Sequence, residues 1–283
     1  MFPDKIYLFN SSISITWYGI FIAIGILAVF IVLFSYGKLI GNSERFTDFV
    51  FYDGIISIVV GFFSAAVFQA FYNYLEDPSK GFNLNGGITF IGGLIGGALC
   101  FLLIFYFFRK KIDGNITNIL SLAPCCIVIA HAFGRLGCLF AGCCHGTYLG
   151  QESTAGGIYM LGTYQGHKTW GYFIPTQLYE AIFLFLLFGL FTYLLLAKKF
   201  KHNLSLYLIL YGIFRFIIEF FRGDERGDLV QGISPSQFWS IVMIIASVAV
   251  YFIVEKLLKK YGEKGSLANK SADNSVIDVK GEK

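Results

Sequence analysis

The chain has 283 residues, of which 56% are hydrophobic, 18% aromatic and only 14% charged. Its apolar runs are too long and continuous for a soluble domain, which leaves a polytopic membrane protein. The formal net charge of +4 comes largely from a few loops and the tail, so it reads as membrane topology and no nucleic-acid partner is expected.

A spanning helix needs about 20 apolar residues. About seven such stretches occur, near 13–37, 49–74, 87–108, 117–140, 175–197, 204–221 and 235–258, so the predicted fold class is all-α and multi-pass. No secretory leader is expected, because the first apolar run follows a short Asp/Lys-bearing segment and is long enough to span; it reads as a retained signal anchor. The third run contains GGITFIGGLIGGALC, where Gly92, Gly93, Gly96 and Gly97 form overlapping small-xxx-small pairs suited to close helix packing. A phosphate-binding glycine loop would need a strand before it, and none is expected here.

On the fourth helix His131, Arg135 and Cys138 fall at i, i+4 and i+7, one face. The stretch from about 141 to 172 is the longest outside the spans; it reads either as a functional lid or as a passive connector. At the start of the fifth helix Gln177 and Glu180, at i and i+3, either bind substrate or satisfy the helix terminus. The sixth carries a second stripe of Tyr211, Arg215, Glu219 and Arg222, followed by Asp224, Glu225, Arg226 and Asp228 as a solvated loop. Residues 1–261 are expected to form a single transmembrane domain, and the polar segment 262–283 a disordered tail.

Lys and Arg divide unevenly between alternate loops. One set carries Lys38, Arg45, Arg109, Lys110, Lys111, Lys198, Lys199, Lys201 and the tail; the other carries only Lys5, Lys80, Lys168, Arg222 and Arg226. The positive-inside rule then puts the N-terminus outside and the C-terminus in the cytoplasm, which agrees with an odd number of spans.

Arg135 and Arg215 lie where hydrocarbon is expected, and a guanidinium does not deprotonate to escape it. Both stripes must face a protein interior or a wet cavity. An internal Arg215/Glu219 pair would serve orientation alone, but Arg135 has no carboxylate within a turn. The counter-charge this suggests is an external anion, and in a bilayer the abundant anion is a phospholipid headgroup, which arginine recognises bidentately. Charges holding that phosphate would also make it a better leaving group.

In order along the chain, Trp17-Tyr18-Gly19, GGITFIGGLIGG, GRLG (134–137), PTQLYE (175–180), YGIFRFIIEFFR (211–222) and ISPSQFWSI (233–241) resemble the motifs of the prolipoprotein diacylglyceryl transferase family. The likeness runs from about residue 13 to 258. It implies a seven-helix enzyme of the bacterial inner membrane. Such an enzyme transfers the diacylglyceryl group of phosphatidylglycerol to the lipobox cysteine of a preprolipoprotein signal peptide and releases glycerol phosphate. By the same resemblance Arg135 and Arg215 hold the phosphate, Glu219 orients an arginine, and Tyr18 donates a hydrogen bond. Arg222, Gln177, Glu180, Cys138 and His145 are the further candidates for substrate binding. No cofactor is expected.

The sequence also departs from the family pattern. Ile91 stands where the family has a histidine that is a candidate to accept the thiol proton. The second segment keeps Phe71-Tyr72-Asn73 but lacks the usual arginine. After GRLG the pattern GRxGNFxNxExxG becomes GRLGCLFAGCCHG, so that Cys138, Ala141 and Cys143 replace two asparagines and a glutamate. Four readings of Cys138, Cys143, Cys144 and His145 stay open: small packing residues, a redox pair, a metal site, or direct catalysis by a thiolate or by His145. The spacing lacks the CxxC of common zinc sites, so no metal is expected. Cys100, Cys125 and Cys126 lie in apolar runs and read as inert. Two rivals to the transferase reading remain: a divergent paralogue with another acceptor, and a non-enzymatic lipid-binding or transport protein.

Overall fold

The structure, a computed structural model, describes residues 5–7, 14–84, 87, 89–108, 111–112, 114–152, 155–223 and 232–278. Arg109, Lys110, Asp224, Glu225, Arg226 and Asp228 lie outside the described residues, as do the side chains of Lys5, Lys80 and Ile91. Among the described residues seven α-helices carry the chain: α1 (Trp17–Leu39), α2 (Glu44–Glu76), α3 (Phe90–Phe108), α4 (Ile116–Phe140), α5 (Thr176–Leu196), α6 (Asn203–Ile218) and α7 (Pro235–Asp278). Among the described residues six helices are long and apolar enough to cross a membrane, and the stretch Gly92–Phe108 within α3 is a shorter apolar helix. The outward apolar surface fits this reading, since Leu27, Ile31, Phe62, Phe63, Leu186 and Phe252 are all exposed.

The chain divides into two compact units, Met1–Val32 with Asn115–Lys283, and Leu33–Gly114. In the second unit α2 begins at a serine cap, Ser43 accepting from the Phe46 amide at 3.2 Å. The glycines of α3 lie against α2 as their spacing suggests. A Cβ on Gly96 would stand 2.3 Å from Ser64 Cβ, and one on Gly93 would meet Ala65 Cβ at 3.2 Å. Ser64 donates to the Gly92 carbonyl at 2.9 Å, so this contact adds a hydrogen bond that lipid cannot supply.

In the first unit α4 is the most buried span, half of its apolar window being buried. Pro124 withholds one amide from its ladder. Near that point Asn203, at the start of α6, donates Nδ2 to the carbonyls of Ser121 at 3.1 Å and Phe191 at 3.3 Å. One buried amide therefore ties the ends of α4, α5 and α6 together. Higher up, Phe183 of α5 stacks on Phe214 of α6 at 4.0 Å, and Gly212 lets α6 approach the Ser240 carbonyl of α7. Gly25 and Gly137 do the same between α1 and α4.

The segment between α4 and α5 is a small antiparallel sheet of order β3-β5-β4, with β3 at Tyr148–Gly150, β4 at Ile158–Tyr164 and β5 at His167–Phe173. A second pair joins β1 (Lys5–Tyr7) to β2 (Ser14–Thr16). These strands add to the helical prediction. Their signal is weak because Gly162 and Gly171 interrupt the alternation, and the hairpin turns at Gln165-Gly166, both at positive φ, without the more familiar Asn-Gly. Gly162 is required where it stands, since a Cβ would lie 2.6 Å from the Phe173 ring.

The α7 backbone stays helical to Asp278, beyond the apolar window Pro235–Lys260 and into the segment expected as a disordered tail. A helix already nucleated by its span extends at little cost per residue.

The α2–α3 contact predicts that Gly96→Ala forces the helices apart and lowers stability by about 1–3 kcal/mol. Ser64→Gly in the same chain should recover most of the loss. Thermal melts in detergent report both, and a Gly96→Ala chain as stable as the parent would sink this packing.

Candidate functional site

The site grows from the C-terminal half of α4, which the helical repeat forces to present His131, Arg135 and Cys138 on one face. Glu180 of α5 meets that face with 1% of its surface exposed. Its Oε2 pairs with Arg135 Nε at 2.9 Å, its Oε1 lies 3.5 Å from His131 Nε2, and Tyr211 of α6 donates its hydroxyl to Oε1 at 2.7 Å. One buried carboxylate thus gathers three groups from two neighbouring helices.

This revises the sequence reading of Arg135. Its missing counter-charge sits 45 residues on in sequence, on α5. Glu180 serves neither the helix terminus, since α5 has no side-chain cap, nor a free binding position; it orients the arginine. Arg135 spends only Nε on Glu180, and among the described residues its two terminal nitrogens have no partner, so the forked end of the guanidinium remains available.

A second cluster follows one turn along α6. Arg215 Nη2 contacts Glu219 Oε2 and the Ser236 hydroxyl, both at 2.8 Å, while its buried Nη1 has no hydrogen-bond partner among the described residues. Glu219 lies in a 3-10 turn (Glu219–Phe221) that ends α6. Ser234 donates to Glu219 Oε1 at 2.9 Å, and Arg222 Nε stands 3.9 Å from Oε2. The two clusters are electrostatically joined, because Arg215 acts on both Glu180 and His131. Arg135, Arg215 and Arg222 thus converge with Glu180 and Glu219.

Of the other predicted residues, Tyr18 sits in the first turn of α1 against Gly137, 43% exposed, and within electrostatic reach of Arg135 and the thiols of Cys138, Cys143 and Cys144. Gln177 is buried, with Nε2 3.8 Å from the Met160 sulfur and Oε1 without a hydrogen-bond partner among the described residues. His145 is placed differently from expectation. Thr163 N–H donates to its Nε2 at 2.8 Å, so the proton sits on Nδ1, which donates to the Gly146 carbonyl at 2.9 Å. Both ring nitrogens are spent on backbone, and the ring packs 4.3 Å from Phe173. His145 is a strut between loop and sheet.

The loop after α4 folds back on its last turn. Cys143 N–H bonds to the Cys138 carbonyl at 3.1 Å, and the Sγ atoms of Cys138, Cys143 and Cys144 all lie within 4.8 Å of one another. Cys144 holds a left-handed backbone, φ 60°, fixed by the Thr176 hydroxyl on its carbonyl at 3.0 Å. Hydrogen bonding from the two neighbouring thiols pulls the Cys144 thiol well below its ordinary range, with Arg135 and Arg222 assisting against the cost of burial. The sequence spacing gave no metal signal because the cluster is closed by the helix end, not by a CxxC turn. His131, Tyr211, Ser234 and Ser236 are the participants left without a role in the sequence reading; the ISPSQFW motif was the available signal for the two serines.

If Glu180 is the hub, Glu180→Gln strands a buried arginine and should cost on the order of 3 kcal/mol, whereas Tyr211→Phe removes one hydrogen bond and should cost about 1–2 kcal/mol. Unfolding in detergent measures the order, and the reverse order would remove Glu180 from the centre.

The matches to known proteins agree with this geometry. Residues 6–253 match the family model described as prolipoprotein diacylglyceryl transferase. A phosphatidylglycerol–prolipoprotein diacylglyceryl transferase of Clostridium tetani is 35% identical over 246 residues, covering 85% of this chain and 94% of its own. A protein of Clostridium perfringens named transferase 2 of that type is 33% identical over 255 residues (87% and 94%), and the Clostridioides difficile enzyme is 30% identical over 261 (89% and 96%). With its motifs, its helices and nearly its whole length accounted for, the chain belongs to the prolipoprotein diacylglyceryl transferase family.

Proposed function

We propose that this protein transfers the diacylglyceryl group of phosphatidylglycerol to the lipobox cysteine thiol of a preprolipoprotein and releases glycerol phosphate. The observation that carries the reading is the pair of buried arginines Arg135 and Arg215, each held by a glutamate through part of its guanidinium, with Arg215 Nη1 and the terminal nitrogens of Arg135 lacking a partner among the described residues. A phosphodiester brings one negative charge, and its departure as glycerol phosphate adds a second. Preset cations stabilise that developing charge without reorganising. Family membership favours this reading over a paralogue with another acceptor and over a non-enzymatic lipid binder.

Each residue then has a task. Arg135 and Arg215 bind the phosphate oxygens, Glu180 and Glu219 aim them, and Arg222 adds charge at the end of the stripe. Tyr18 donates a hydrogen bond from the exposed first turn of α1, and Gln177 offers a buried carbonyl to the substrate. Cys138 acts within the thiol cluster. The reaction forms a carbon–sulfur bond at the glyceryl methylene while its bond to the phosphate oxygen breaks. The enzyme sits in the bacterial cytoplasmic membrane with its N-terminus outside, a topology supported by the Lys and Arg distribution. Residues 1–261 carry the transferase, and the tail from 262 stands outside its chemistry.

The test is complementation of a strain depleted of its own transferase. The wild-type chain should restore lipoprotein modification. Arg135→Ala should lower transfer by at least about a hundredfold, and Arg135→Lys should recover little, because a point charge cannot replace a fork already divided between glutamate and phosphate. A stably inserted wild-type chain that restores nothing would end the proposal.

A further inference from the structure

We infer that Cys138, Cys143 and Cys144 hold a zinc ion whose open fourth position takes the acceptor thiol. This rests on the transferase reading and supplies its nucleophile.

The geometry comes first. A zinc–thiolate bond of about 2.3 Å sets tetrahedral sulfur–sulfur edges near 3.8 Å. The three Sγ atoms already lie within 4.8 Å of one another, so closing on a metal needs a shift of about 1 Å or less. Three protein ligands and one open position is the arrangement of catalytic zinc. All three cysteines are half-buried and reduced, so a fourth ligand can reach them.

The loop is built to hold that arrangement. The left-handed Cys144, the turn at Gly142 with φ 63° and the Cys143 amide bonded back to Cys138 converge three sulfurs that a regular helix would spread apart. Next to them Gly146 is hemmed in by the Phe221 carbonyl, 2.4 Å from where its Cβ would stand, and Gly146 N–H bonds Ile174 O at 2.7 Å. His145 pins the same loop to the sheet.

The chemistry gives such a site a task. Alkylating a thiol at neutral pH needs the thiolate, and His145, with both ring nitrogens on backbone, is not placed to take the proton. A zinc-coordinated thiol is deprotonated outright. The lipobox thiol binds zinc and gives its proton to water. Its sulfur electron pair then forms the bond to the glyceryl methylene, and the electron pair of the breaking carbon–oxygen bond leaves on glycerol phosphate. Zinc changes neither charge nor oxidation state. Arg135 and Arg222 act electrostatically on Cys144, so the metal's thiolate cluster stands beside the cations that hold the phosphate. Nucleophile and leaving group are thereby brought to one place.

Full-length protein purified in detergent, loaded with zinc and dialysed, should retain about one zinc per chain by elemental mass spectrometry, and cobalt replacement should give thiolate-to-cobalt charge-transfer bands. Cys138→Ser, Cys143→Ser and Cys144→Ser should each lower retention at least about tenfold, and transfer with it, while the detergent melt remains cooperative. Arg135→Ala should abolish transfer yet keep the metal, which separates this site from the phosphate site. Metal-free chain with undiminished transfer, or an active chain 2 Da light from a disulfide, overturns the zinc. Zinc retained by a chain that cannot restore lipoprotein modification overturns the transferase reading and the acceptor step with it.

Discussion

A carboxylate with 1% of its surface exposed, in the middle of an apolar helix, is the constraint around which this site is arranged. Removing Glu180 from water costs several kcal/mol, a penalty offset only if its oxygens are fully engaged. They are, by Arg135 and His131 of α4 and by Tyr211 of α6. A shift of any of these helices by one residue would turn a donor away and leave the charge unpaired. Glu180 therefore fixes how α4, α5 and α6 sit against one another at one end, as Asn203 does at the other with neutral hydrogen bonds.

The pairing does not cancel the arginine it holds. Arg135 gives Glu180 a single nitrogen and keeps the forked end that matches phosphate geometry. Arg215 is treated likewise, with Nη2 shared between Glu219 and Ser236 and Nη1 without a hydrogen-bond partner among the described residues. Each glutamate thus meets part of the desolvation cost of its arginine and locks its rotamer before substrate arrives. An unpaired guanidinium would swing or recruit water, and its charge would be less focused on the departing oxygen.

Much of this was legible in the residues. Charges inside apolar runs singled out Arg135, Arg215 and Glu219, which the structure places in two buried ion-pair clusters, and helical spacing put His131, Arg135 and Cys138 on one face. The glycine stripe of the third apolar run predicted close helix packing, and the structure supplies α2 as the partner. What escaped was tertiary. Periodicity describes one helix at a time, so it cannot show that Glu180 answers Arg135 across a helix pair, nor that Ser236 of α7 supports Arg215. His145 looked reactive beside three thiols, yet its role depends on a strand, Ile158–Tyr164, whose glycine hides the alternation. The thiol cluster was unreadable for the same reason: the chain reversal at Ala141-Gly142, not sequence spacing, brings the sulfurs together.

Alkylating a thiol with a phosphodiester asks two things of one cavity. Negative charge must be created on sulfur before the step, and on the phosphate oxygen during it. A purely basic pocket serves the second demand well and the first poorly, because cations lower a thiol's pKa without giving it a place to bind. On the proposed reading, grouping the demands along α4 resolves the conflict: Arg135 is the residue offered to the phosphate, and one turn later Cys138 begins the thiol cluster on which Arg135 also acts. In that arrangement Arg135 would act on both partners of the reaction, held in place by a glutamate that touches neither.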